Sequence, residues 1–452
     1  MAERIVIIGG VAAGMSAASR ARRIAPHAEI VVLERGPAAA YGACGLPAFL
    51  AGQVPNLDAL RAHPEEFFRQ QRGIDLRTGQ EVVEIQPARR RVVTRDGAGR
   101  EEATAFDRLV LATGAAAVGL RGDDHPRLFR ANTWEQAARL EAFLRQRGSR
   151  GGRAVVIGAG YIGMEIAEAL AGRGVTVRLL EARASVLPSL DADMAELMAT
   201  AARRGGERLA PVEIVNLARV EAILPAPRGI GLATSVGPLE AEFAVDASGL
   251  APNAGLAAGA GVARGMTGAI AVDERQQTNV PGIFAAGDCA ESRHRITGAP
   301  AWIPLGAVAN QQGRVAGQNA ANGPVARYPG VLGSLVLRAF GWEAGRTGLG
   351  QEQAERAGFA VGVERIEANT VAGYRGERRV TLKWIFDRQS GRGLGMQVVG
   401  PPGTTLARLH AAAVALTAGL RRDEIEHLDL AYAPEVAPVY DPLQIAAHRA
   451  GR

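Results

Sequence analysis

Residues 4–34 read Arg4-Ile-Val-Ile-Ile8, then Gly9-Gly10-Val11-Ala12-Ala13-Gly14, then a helical stretch from Met15 to Ile24, then Glu29-Ile-Val-Val-Leu33 and Glu34. Strand, glycine turn, helix and strand follow one another as a complete βαβ unit. The physical logic is that of a dinucleotide site. Gly9 permits the tight turn, Gly14 lets helix and strand pack closely, and the helix N-terminus offers amides and a dipole to a pyrophosphate. Glu34, at the end of the second strand, is placed to accept both ribose hydroxyls. Val11 replaces the middle glycine of the G-x-G-x-x-G pattern, so this motif alone also fits a plain strand-turn-helix.

A second unit begins at Arg153. Ala154-Val-Val-Ile157 leads into Gly158-Ala-Gly160-Tyr161-Ile162-Gly163, a helix through Leu170, and Val175-Thr-Val-Arg-Leu-Leu180 with Glu181. Here the glycine fingerprint is complete. Glu181 is placed to hydrogen-bond a 2′-hydroxyl and repel a 2′-phosphate, which favours NADH, while Arg183 nearby leaves NADPH admissible. Two fingerprints imply two dinucleotides. A nicotinamide hydride needs an acceptor, and a flavin in the other unit supplies one. Phe106-Asp-Arg-Leu-Val-Leu-Ala-Thr113-Gly114 and Ile283-Phe-Ala-Ala-Gly287-Asp288 are apolar strands ending in small-residue turns. They place FAD in the first unit, with the Asp288 carboxylate suited to a ribityl hydroxyl. Read alone, each is also an ordinary buried strand.

The rest of the composition narrows the class. A chain of 452 residues predicts two to four domains. Apolar residues at 47% and charged residues at 22% are close to a globular average. The net charge of +6 comes from scattered arginines, and Lys383 is the only lysine. The densest basic cluster, Arg89-Arg90-Arg91, sits where a hairpin turn is expected and has no interleaved aromatics, which argues against nucleic acid. Two cysteines build no disulfide framework and show no metal-ligand spacing, so a reducing cytoplasm is expected. No apolar run reaches the about 18 residues of a membrane span, and Ile5 to Ile8 is too short for a signal-peptide core.

Ala43-Cys44-Gly45-Leu46-Pro47, Ala112-Thr113-Gly114, Gly158 to Gly163 with Glu165, Gly287-Asp288, Trp302-Ile-Pro-Leu-Gly306 and Leu430-Ala-Tyr432-Ala-Pro434 join Gly9 to Gly14 in one order. With them the sequence resembles the pyridine nucleotide-disulfide oxidoreductases. Within these it resembles the single-cysteine branch of coenzyme A-disulfide reductases, NADH oxidases and persulfide reductases. The resemblance implies an α/β chain with two Rossmann-like dinucleotide-binding domains and a C-terminal α+β dimerisation domain. FAD would be held by a discontinuous domain, 1–120 and 248–327, and NAD(P)H by 121–247. Residues 328–452 would form a homodimer interface. The residues after Tyr328 agree: they lose the glycine fingerprints, alternate through Arg379-Val-Thr-Leu-Lys-Trp-Ile-Phe386 and turn helical from Thr405 to Leu420. The resemblance places cofactor contacts also at Arg35, Val82, Ala307, Tyr161, Ile162 and Gly249.

Cys44 is the candidate reactive group. Pro47 is positioned to open a helix, and a thiol at a helix N-terminus is expected to have a lowered pKa. A free cysteine is otherwise most often an inert core residue. Two-cysteine members of the family carry C-x-x-x-x-C, but here the second position is Phe49, and Cys289 reads as packing. The oxidised state is therefore a mixed disulfide, a persulfide or a sulfenic acid. The His-x-x-x-x-Glu acid-base pair of glutathione-reductase-like members is not apparent. The expected chemistry passes hydride from NADH by way of the flavin to Cys44–S–S–R, releasing R–SH and regenerating the thiolate. A small disulfide or persulfide is the expected substrate.

Ser16, Arg20, Arg23 and Arg72 match positions associated with coenzyme A in the family, and arginines suit its phosphates; a solvent-facing basic helix is the other reading. Ala40 and Ala43 stand where relatives present Ser and Asn. Tyr374 and Tyr432 match tyrosines that reach toward the partner's active site, where a phenol can donate to a leaving sulfur. Arg375 replaces a second tyrosine, and Tyr440 replaces a substrate-contacting lysine. An oxygen-reducing NADH oxidase and a slow-turnover redox-signalling flavoprotein are the alternative functions.

Overall fold

The computed structural model describes residues 3–148, 152–206, 209–227 and 229–450. Its first sheet is wholly parallel, in the order Ile283–Ala285, Arg108–Leu111, Arg4–Ile8, Glu29–Leu33, Ile74–Arg77. Strands from both ends of a long stretch of chain thus share one sheet, which brings the turns after Ile8, Leu33, Leu111 and Ala285 to the same carboxyl edge. Ligands bind at that edge in open α/β sheets.

Small residues set the helix packing over this sheet. The helix Ala12–Ile24 lies against Gly306–Asn322. A Cβ at Gly313 would lie 2.2 Å from the Ala13 carbonyl oxygen, and one at Gly317 would lie 2.2 Å from that of Ala17. Only glycine allows the two backbones to come so close.

The second sheet is also parallel, in the order Glu213–Val215, Val175–Leu180, Gly152–Ile157, Phe243–Asp246, Leu128–Phe129. It is joined to the first through the antiparallel pair Ala115–Ala117 and Leu250–Pro252. Thr113 Oγ1 donates to the Asn253 carbonyl at 2.8 Å, and Asn253 Nδ2 returns a bond to that of Thr113 at 2.9 Å. The third sheet is antiparallel, in the order Leu335–Ala339, Trp342–Gly348, Gly393–Gly400, Arg379–Asp387, Val361–Asn369. The helices Leu406–Ala418 and Pro442–Arg449 cover one face of it. The basic run at 89–91 forms the turn between Glu81–Gln86 and Arg91–Arg95, with Arg90 in the left-handed region at φ +47.

Alternation in Arg379–Asp387 reads in the sequence as one apolar and one polar face. The structure buries both. Trp384 and Leu382 enter the core, while Thr381 is also buried and Lys383 is buried against the second sheet's domain. Lys383, 5% exposed, holds Asp191 and Asp193 at 2.9 Å each, and Arg346 from Trp342–Gly348 donates to the Ser189 carbonyl. A buried polar seam therefore joins the loop before the helix Ala192–Arg204 to the C-terminal sheet.

Candidate active site

Seven of the sequence-derived cofactor residues line one cleft of about 740 Å³ at the carboxyl edge of the first sheet: Gly9, Glu34, Arg35, Val82, Thr113, Gly114 and Asp288. A volume of this size is within the about 300–1,000 Å³ range of ligand sites. Gly9 has φ +104, and a Cβ there would lie 2.1 Å from the Ala112 carbonyl oxygen. A Cβ on Gly14 would lie 1.8 Å from the carbonyl oxygen of Gly9, so the turn and the helix interlock through two bare Cα atoms. Val11, the departure from the glycine pattern, lies on the cleft wall.

The second fingerprint repeats the geometry. Gly158 has φ +92, Gly163 would place a Cβ 1.8 Å from the Gly158 carbonyl oxygen, and Gly160 faces open space at the first turn of Tyr161–Gly172. Gly249 adopts φ +149 at the return to the first domain. The two acidic residues also act alike. Glu34 accepts from the amides of Gly10 at 2.6 Å and Gly36 at 2.7 Å, and Glu181 accepts from Ala159 and Arg183, both at 2.9 Å. Each carboxylate clamps its own glycine turn and keeps a lone pair on each oxygen for a further donor. This clamping was not legible in the sequence, because the amides are set by turn geometry. Burial pushes the Glu34 pKa up against the pull of its two amide bonds.

Tyr161 opens its helix with its hydroxyl 2.6 Å from Ser189 Oγ, and burial pushes its pKa up to about 12. Ile162 is half-buried beside it. One turn on, burial and then the neighbouring Glu168 carboxylate push Glu165 up to about 7.

Cys44 corrects an expectation. It lies in the single 3₁₀ turn Ala43–Gly45, ahead of the helix Leu46–Leu50 that Pro47 helps open. Its pKa is raised, not lowered, first by burial and then by the Glu165 and Asp288 carboxylates. Five residues make too short a helix for a large dipole, and two acids outweigh it. The sulfur instead faces a helix from far along the chain: a Cβ on Gly306, first residue of Gly306–Asn322, would sit 3.9 Å from Sγ. Ala307 follows it, exposed at that helix's start. Cys44 is exposed, whereas Cys289 is fully buried with its sulfur 3.4 Å from the carbonyl oxygens of Leu111 and Ala286. Trp302 Nε1 donates to the Asp288 carbonyl at 2.8 Å and so braces the loop that carries the carboxylate. Gly306 and Trp302 stand in a motif legible in the sequence, but only the fold shows what they touch. No group of His, Cys, Asp or Glu among the described residues could hold a metal ion.

The residues matched to coenzyme A positions do not act as one basic face. Arg20 is tied to Gln318 Oε1 at 2.5 Å and Ser16 accepts from Asn310 Nδ2 at 2.8 Å, while Arg23 and Arg72 are exposed. The Arg72 guanidinium stands 5.1 Å over the Phe67 ring, which stacks on His63 at 4.1 Å. That aromatic step was missed in the sequence. Tyr374, Tyr432 and Tyr440 line no part of the cleft and are exposed on the C-terminal domain. The loops that carry Tyr374 and Tyr432 are pinned together by Ala372 N to Pro434 O at 3.2 Å and by Arg375 to Glu435 at 3.4 Å.

Residues 3–313 match the pyridine nucleotide-disulphide oxidoreductase family model, and 338–442 match that family's dimerisation domain. The chain belongs to this family. It is an oxidoreductase with two dinucleotide-binding domains and an antiparallel C-terminal dimerisation domain. Among its relatives is a CoA-dependent NAD(P)H sulfur oxidoreductase of Pyrococcus furiosus, 37% identical over 98% of each chain. An NADH oxidase of Methanocaldococcus jannaschii is 34% identical, covering 99% of this chain and 98% of its own. The solved NAD-dependent persulfide reductase of A. fulgidus superposes with a TM-score of 0.93 at 35% identity, over 99% of this chain and 83% of that one. No helix among the described residues is long and apolar enough to cross a membrane.

Proposed function

We propose that this protein is an FAD-containing, NADH-preferring reductase of a coenzyme A disulfide, persulfide or polysulfide that works through Cys44. The observation that carries the reading is the isolation of an exposed thiol directly after Ala43, a residue that lines the cleft. Phe49 stands where a resolving cysteine would be, and Cys289 is buried and bonded to backbone carbonyls. A sulfur without an internal partner must take its second sulfur from the substrate. The sulfur oxidoreductase and persulfide reductase among the relatives support that class.

The cleft fits FAD. Gly9 and Gly10 line it with bare backbone, Gly14 lets the helix close on that turn, and the clamped Glu34 lines it with unused lone pairs. When bound, FAD supplies a two-electron relay between nicotinamide and sulfur. Arg35, Val82, Thr113, Gly114, Asp288 and Ala307 would hold it; Gly158, Gly160, Gly163, Tyr161, Ile162, Glu165, Glu181 and Gly249 would hold the nicotinamide dinucleotide. Glu181 supports the preference for NADH, and the exposed Arg183 keeps NADPH usable. We assign 1–120 with 248–327 to the flavin domain, 121–247 to the nicotinamide domain and 328–452 to a homodimer interface, across which Tyr374 and Tyr432 would serve the partner's Cys44. Ser16, Arg20, Arg23, Arg72 and Tyr440 would meet an anionic substrate, and of these Arg23, Arg72 and Tyr440 are exposed.

Cys44→Ser should abolish disulfide turnover with FAD still bound, and retained turnover would overturn the assignment. The NADH oxidase among the relatives supports a second reading, oxygen reduction through a Cys44 sulfenic acid. Oxygen uptake faster than disulfide reduction would favour it.

A further inference from the structure

The second glycine turn is gripped by a segment some 25 residues further along the chain. Leu187, fully buried, sits at φ +47, in the left-handed region that a bulky side chain adopts only when its surroundings impose it. Two bonds show what the strained segment holds. The Leu187 amide donates to the Ala159 carbonyl at 2.7 Å, inside the fingerprint, and Ser189 Oγ lies 2.6 Å from the Tyr161 hydroxyl at the start of the helix Tyr161–Gly172.

The other side of the segment is held by the C-terminal domain. Arg346, 8% exposed, donates through Nη1 to the Ser189 carbonyl, and through Nη2 to the Gly348 carbonyl and, at 2.8 Å, to Gln353 Oε1. Fully buried Gln397 accepts from the Asp191 amide at 2.8 Å. All three Arg346 partners are neutral oxygens, so desolvation dominates its surroundings. A cation so placed is a costly way to stabilise a fold, and what it secures is Ser189.

We propose that Arg346 is a positioning residue for the nicotinamide dinucleotide. Through Ser189 it fixes the Tyr161 end of the glycine turn, so that the first amides of Tyr161–Gly172, which have no partner within the helix, are preset for the pyrophosphate. The C-terminal domain thereby sets dinucleotide affinity from outside the fingerprint. This rests on the assignment of the second unit to the nicotinamide dinucleotide.

The test compares the FAD-loaded parent with Arg346→Met and Ser189→Ala, using ADP-ribose as a probe that carries the pyrophosphate but no nicotinamide. In Arg346→Met, the ADP-ribose Kd and the NADH concentration for half-maximal flavin reduction without oxygen should both rise at least about fivefold; in Ser189→Ala, about twofold. The limiting rate of flavin reduction and the alkylation rate of Cys44 should stay within about twofold of the parent. Arg346→Lys, which keeps a donor for the Ser189 carbonyl, should recover part of the affinity. Combining Arg346→Met with Ser189→Ala should weaken ADP-ribose binding by less than the product of the separate effects, because both cut one path.

Variants that melt earlier but bind ADP-ribose like the parent would show a purely structural seam and overturn the proposal. So would effects that multiply. Ser189→Ala keeps the test decisive if Arg346→Met does not fold, since an unchanged Kd there also overturns it. Failure of the wider reading shows separately, as a parent protein whose flavin neither NADH nor NADPH reduces.

Discussion

Replacing Lys383 with methionine should cost about 3 kcal/mol of stability. Lys383 is 5% exposed, and its ammonium is 2.9 Å from both Asp191 and Asp193. At an effective dielectric near 20 each contact is worth on the order of 5 kcal/mol before desolvation is counted. Removing one partner of a buried pair typically costs about 3–5 kcal/mol, because a charge is left uncompensated. Asp193 contributes little to that penalty: its side chain is 42% exposed and it keeps Arg365 at 3.4 Å. Asp191, 15% exposed, would retain the Gln351 amide at 3.2–3.3 Å and the field of the Arg346 guanidinium but no direct cation contact among the described residues, so most of the loss falls on it. Urea unfolding followed by linear extrapolation reads the difference. Adding Asp191→Asn removes the stranded charge and keeps an acceptor for Gln351, so the double variant should recover at least half of the loss. Burial pulls the Lys383 pKa down, but the two aspartates outweigh it and the net shift is upward. The stabilisation is therefore complete at neutral pH and fades only as pH rises past about 10.4. A Lys383→Met protein within about 0.5 kcal/mol of the parent would refute the reasoning, as would a double variant whose losses simply add.

Other variants address the nucleotide sites and the tyrosines. Gly14→Val would drive a side chain into the Gly9 carbonyl, and the purified protein should lack the visible flavin band. Glu181→Ala frees the Ala159 and Arg183 amides and removes the charge that, on the proposed reading, would repel a 2′-phosphate; the ratio of kcat/KM for NADPH over NADH should rise at least about tenfold. Tyr374→Phe and Tyr432→Phe should each slow disulfide turnover about 10–100-fold with flavin content unchanged, as loss of a proton donor requires.

Both nucleotide folds were legible because their logic is local. A glycine at a positive φ, a second glycine under the helix and an acid at the next strand end all lie within about thirty residues of one another. The C-terminal sheet was legible from alternation, but its buried polar face was not, since Lys383 meets Asp191 and Asp193, at a helix start some 190 residues earlier in the chain. Cys44 shows the same limit. The local reading credits its reactivity to the helix after Pro47, whereas the fold sets the sulfur against Gly306 and in the field of two carboxylates. Likewise the Arg20 side chain bonds Gln318 across the helix pair, a partner that spacing along the chain does not reveal. Long-range partners decide what a titratable or cationic side chain does, and spacing along the chain does not reveal them.

The most direct test is a single-turnover experiment on Cys44. The FAD-loaded protein is incubated without oxygen with coenzyme A disulfide, peptide masses are recorded, and NADH is then added. The account predicts one coenzyme A adduct on Cys44, none on Cys289, and its release as free thiol at the rate of NADH oxidation. Turnover of the disulfide with Cys44 unmodified throughout would contradict it.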